Sequence, residues 1–131
     1  MQNIIRQLSW FIAVGCAAAA THWLVAVAAV RFAAMPPLVA NVAGWLVAFG
    51  VSFVGHYQLT FKQQGASWTR AARRFFAVSA AGFAVNELAY AYLLTATTIR
   101  YDILLALILI AIAVMTFILG RFWAFRHKTA G

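Results

Sequence analysis

The sequence predicts an all-α membrane protein, with four transmembrane helices built as two parallel two-helix repeats and both termini in the cytoplasm. Three observations predict it. Of 131 residues, 66% are hydrophobic and 9% charged, against about 25% charged in a soluble domain. The basic residues divide the chain into long uncharged runs. The second half repeats the first at a fixed offset of 64 residues.

The runs give the elements in order. Residues 7–30, 32–61 and 103–120 carry no Asp, Glu, Lys or Arg, and residues 75–99 carry only Glu87. A spanning helix needs about 20 apolar residues. Helices are therefore expected near residues 8–30, 38–57, 75–96 and 103–123 of a single domain covering 1–131. Pro36-Pro37 marks the first tight turn and the start of the second helix, because proline is comfortable at a first helical position. Thr97–Asp102 is the second tight turn. Between the two helix pairs lies the one long polar stretch, Lys62–Arg74, expected as a surface loop. The apolar run continues well past Cys16, so a cleaved signal peptide, with its short apolar region of about 7–15 residues, fits poorly.

Orientation follows from counting Lys and Arg. Arg6, the four cations of Lys62–Arg74, and Arg121, Arg126 and Lys128 fall on one side; Arg31 and Arg100 fall on the other. Eight against two puts both termini and the central loop inside. The net charge of +8 is thus a topology and anionic-lipid signal. No soluble remainder exists to bind nucleic acid. A lone Cys16 forms no intrachain disulfide, and no Cys/His spacing suggests a metal site.

The repeat pairs Arg6 with Arg70, Phe11 with Phe75, Val14 with Val78, Leu24 with Leu88, Phe53 with Phe117 and Phe61 with Phe125. It also sets His22 against Asn86 and Trp23 against Glu87. Both units have two helices, so both point the same way, as in parallel transporter repeats.

Each unit opens with Phe-x-x-x-Gly or Ser (Phe11 and Gly15, Phe75 and Ser79). The second closes Thr116-Phe117-x-x-x-Arg121-x-Trp123-x-Phe125, and the first Ser52-Phe53-x-x-x-Tyr57-x-Leu59-x-Phe61. This resembles the GtrA-like family of small four-helix membrane proteins over nearly the whole chain. Copies in that family often end Asn-Phe-x-x-x-Arg-x-Trp-x-Phe, from which this chain departs at Thr116, Ser52, Tyr57 and Leu59. The resemblance implies movement of a polyprenyl-phosphate-linked sugar, or of the carrier itself, across a bacterial inner membrane during cell-envelope glycosylation. It also implies a polyprenyl-phosphate glycosyltransferase as a neighbour. The alternative is a non-transporting subunit that anchors or activates such an enzyme.

Candidate binding residues follow. Glu87 is the one acid inside a span, and intramembrane acids face a bundle interior, a cavity or a partner. Asn86 and its repeat mate His22 lie at similar depth. These three are expected to meet sugar hydroxyls, or Glu87 to couple to protons; the plainer account is interhelical packing. Arg121, His56 and Arg74 are expected at a cytoplasmic mouth, where a guanidinium suits a phosphate; lipid-solvated charge is the plainer account. Ala40, Gly44, Ala48, Ser52 and His56 recur every four residues on helix two, and Gly15 and Ala19 on helix one, as faces for close helix approach. Those faces, and the thinness of four Ala-rich helices, suggest a homodimer. A small multidrug exporter would place an acid in helix one, where this chain has His22 and Trp23. No nucleophile–base pair is visible, so neither an enzyme nor a cofactor is expected.

Overall fold

The computed structural model describes residues 2–60 and 68–119. It contains four α-helices: α1 (Gln2–Ala33), α2 (Pro37–Gly55), α3 (Trp68–Ala96) and α4 (Tyr101–Leu119), with a π-helical turn, His56–Thr60, continuing α2. Among the described residues three apolar segments are long enough to cross a membrane: Ile4–Ala33, Pro37–Leu59 and Ala72–Ala96. In α4 the apolar part among the described residues is shorter, Tyr101–Met115.

Local chemistry sets the boundaries. Pro37 opens α2 with Pro36 as its extended N-cap. Ala34 ends α1 by turning left-handed at φ 55°, and Met35 N–H closes back on the Ala29 carbonyl at 3.1 Å. Two helices start well before their expected residues: α1, at Gln2 and not near residue 8, and α3. The latter begins at Trp68, so Arg70, Arg73 and Arg74 stand on its first two turns and not in a loop. Ala and Arg are good helix formers, and an interfacial helix end tolerates their charge.

Helices α1 and α2 form a close antiparallel hairpin. A Cβ on Gly44 would lie 2.6 Å from the His22 carbonyl oxygen, and one on Gly55 would lie 2.7 Å from Val14. Numbers rise on one helix as they fall on the other. The four-residue stripe is the seam: Ala40, Gly44, Ala48 and His56 are all buried. Gly15, by contrast, is exposed with nothing near its missing Cβ, so it does not serve packing within this chain. Gly44→Ala therefore forces backbone apart and should cost about 1–3 kcal/mol of stability. Gly15→Ala should cost nothing by crowding. Thermal unfolding of the two variants in mild detergent checks the contrast.

The core is small and sits toward the two short turns. It consists of Ala26, Ala40, Tyr90, Leu104, Leu105 and Ile108. Its members fall largely into pairs 64 apart: 26 with 90 and 40 with 104, while 105 and 108 match the buried Asn41 and Gly44. Large apolar side chains such as Leu24, Val78, Leu88 and Ile110 are exposed all around it. A water-soluble monomer seldom shows so much apolar surface; hydrocarbon is the solvent that suits it.

Candidate functional site

Inside this apolar frame lies one buried polar layer. Asn41, on the second turn of α2, is fully buried. Its Nδ2 donates to Asn86 Oδ1 at 2.8 Å and to Glu87 Oε1 at 2.9 Å. Those two bonds use both amide hydrogens, so Oδ1 accepts from His22 Nε2–H at 2.6 Å. That fixes the His22 tautomer with its proton on Nε2. One amide thus ties together α1, α2 and α3.

The layer lies on the short-turn side of the bundle's middle. At 1.5 Å per residue, Asn41 lies ~6 Å into α2 and Glu87 ~14 Å before the end of α3. Glu87 belongs to two environments. One carboxylate oxygen is held by Asn41, and the other makes no hydrogen bond among the described residues. The half-buried side chain also lines an open groove of about 360 Å³ with Met35, Leu38, Val39, Val42, Ala43 and Leu46. The last five are spaced as one face of α2 and Met35 lies in the turn before it, so the groove is an apolar track along α2 with a single acid beside it.

A seam of rings leads away from the layer. Phe83 faces His22 at 6.4 Å and stacks on Trp45 at 4.7 Å. Trp45 meets Phe76 at 5.5 Å, Phe76 meets Phe49 edge-on at 5.4 Å, and Phe49 stacks on Phe75 at 5.7 Å. Phe75 then meets His56 edge-on at 5.6 Å, and Phe11 lies tilted on the same imidazole at 5.1 Å. Trp45 Nε1 donates to Ser79 Oγ at 2.8 Å, which satisfies the indole inside the seam. Such contacts are worth about 0.5–1.5 kcal/mol per pair beyond area burial.

Of the six residues expected to bind substrate, the structure brings His22, Asn86 and Glu87 into one network. His56 is buried at the far end of the ring seam. Arg74 is exposed on α3, next in sequence to the Phe75 that touches His56. Arg121 lies outside the described residues. Sequence reasoning missed Asn41, the hub. Its signal was the one Asn in the uncharged run 32–61.

At the opposite end from the π-helical turn, the short connections meet. Trp23 Nε1 donates to the Asp102 carbonyl at 2.9 Å, and Tyr90 Oη to the Tyr101 carbonyl at 3.2 Å. Arg100 grips the Asp102 carboxylate with Nε at 2.7 Å and Nη2 at 3.1 Å. That hydrogen bond, first among the causes, holds the Asp102 carboxyl below the ordinary carboxylate range.

The family described as GtrA/DPMS, transmembrane domain, matches residues 10–125. No curated protein and no solved structure matches the chain. The match spans all four helices and contains the whole polar layer, the groove and the ring seam, and on that ground this chain belongs to the GtrA/DPMS transmembrane-domain family.

Proposed function

We propose that the chain carries a polyprenyl-phosphate-linked sugar, or the polyprenyl phosphate itself, across a bacterial inner membrane for cell-envelope glycosylation. The observation that carries this reading is Glu87: a carboxylate with one oxygen fixed by Asn41, set beside an apolar track open along α2. An isoprenoid suits the track, and sugar hydroxyls suit the remaining carboxylate oxygen. In this reading His22 and Asn86 hold the acid in place through Asn41. Arg74, next in sequence to the Phe75 that touches His56, and Arg121 receive the lipid phosphate at the cytoplasmic mouth. Both termini lie in the cytoplasm, as the eight-to-two basic asymmetry indicates. The paired burial at offset 64 supports two parallel repeats. The working assembly is a homodimer. The protein acts as a carrier and not as an enzyme, next to a glycosyltransferase.

Reconstitution tests it. Purified protein in sealed vesicles should expose a labelled polyprenyl-phosphate sugar to an impermeant reagent on the opposite leaflet. Vesicles that never do so, while the protein still binds and activates a glycosyltransferase, would identify an anchoring subunit instead.

A further inference from the structure

We propose that Arg31 and Arg100, organised by Asp102, form a phosphate-binding site for a lipid phosphate ester at the end of the bundle that carries the two short turns. This site does not include Glu87 and does not depend on the carrier reading.

The cluster is built, not loose. Asp102 is buried to 7% side-chain exposure between two guanidiniums that are 58% and 65% exposed. Its Oδ1 accepts from Arg100 Nε at 2.7 Å and from the Ile103 backbone N–H at 2.9 Å. Its Oδ2 accepts from Arg100 Nη2 at 3.1 Å and lies 3.9 Å from Arg31 Nη2. The backbone beneath is pinned from two other helices by Trp23 and Tyr90. Arg100 is therefore held by its Nε edge, with Nη1 left over. Arg31, in the last turn of α1, makes only the 3.9 Å contact among the described residues.

Structure alone does not account for the second cation. One carboxylate balances one guanidinium, so the cluster keeps a charge of +1. Exposed ion pairs add little stability, and Arg on the translocated side opposes the basic asymmetry that orients the chain. Two guanidiniums on a rigid carboxylate at headgroup depth, with donors to spare, match a phosphate, which takes several charge-assisted hydrogen bonds. A phosphate monoester of a polyprenyl lipid and a phosphodiester headgroup share that chemistry.

Native mass spectrometry in neutral detergent tests it, with a polyprenyl monophosphate and phosphatidylglycerol titrated separately. Arg31→Gln removes no hydrogen bond of the fold and carries the test. It should weaken one phosphate-lipid binding step about tenfold, as should Arg100→Gln. Arg31→Lys, which keeps the charge and loses the planar fork, should fall between. Arg6→Gln, at the other end of α1, removes the same charge and should leave that step unchanged. Weakening confined to the monophosphate identifies the polyprenyl lipid as the occupant, and equal weakening of both lipids identifies a general phospholipid headgroup. Unaltered binding in Arg31→Gln, or an equal loss in Arg6→Gln, overturns the site. A protein that binds here but fails in the vesicle assay sinks the carrier and leaves this site standing.

Discussion

Glu87→Gln should abolish translocation of the labelled lipid while leaving the protein folded and inserted. The expectation comes from the two roles of the carboxylate. Toward Asn41 it is an acceptor, at 2.9 Å, and the Gln carbonyl oxygen keeps that bond while losing its charge assistance. The buried layer therefore survives, and stability should change by no more than about 1 kcal/mol. Toward the groove the substitution replaces a charged acceptor with an amide that has no charge and no exchangeable acid proton. A site for sugar hydroxyls loses its charge-assisted bonds, and a proton-coupled carrier loses its titrating group. Rates in vesicles, set beside unfolding midpoints of the same preparations, separate the roles. Wild-type rates in Glu87→Gln would return the residue to structure.

Asn41→Ala should be the most destabilising single change in the polar layer. It removes three hydrogen bonds at once and strands His22 Nε2–H, Asn86 Oδ1 and Glu87 Oε1 within the apolar frame. Interhelical hydrogen bonds in membranes average about 0.6 kcal/mol and reach about 1.7. Three of them, with no water at hand for the orphaned groups, give about 2–5 kcal/mol. His22→Ala removes one bond and should cost about 1 kcal/mol from the same source. Unfolding in detergent ranks the two. Equal losses would mean that the network has no hub.

Much of the fold was legible because hydrocarbon imposes length and charge rules on sequence. Pro36-Pro37, the runs between cations and the four-residue stripe from Ala40 to His56 all follow from such rules, and each has its place in the structure. The start of α3 was not legible from hydropathy, because Arg70, Arg73 and Arg74 read as loop while their helix propensity is high. Within the site, Glu87, Asn86 and His22 were visible as polar groups at one depth. Asn41 was not, since a neutral amide leaves no charge signal and its repeat partner is Leu105. Comparing the copies draws attention to positions that agree, and the hub is where they differ. The ring seam was hidden for a different reason. Phe49, Phe75, Phe76 and Phe83 come from two helices whose register no spacing rule supplies. The bond from Trp23 to the Asp102 carbonyl joins residues 79 apart in sequence.

The distribution of the polar layer over three helices dictates an order of biogenesis. As the chain leaves the ribosome, the first hairpin reaches the bilayer with His22 and Asn41 already able to satisfy each other. Asn86 and Glu87 arrive later on α3, and a partner for them exists only if Asn41 is in place. Without it, the translocon would have to release a lone acid into lipid, at a cost of about 2.5–3.5 kcal/mol on insertion scales. The N-terminal half is thus a template for the C-terminal half, and the reverse does not hold. Expressed as separate pieces, residues 1–66 should insert unaided, while residues 67–131 should accumulate only when the first piece is made beside them.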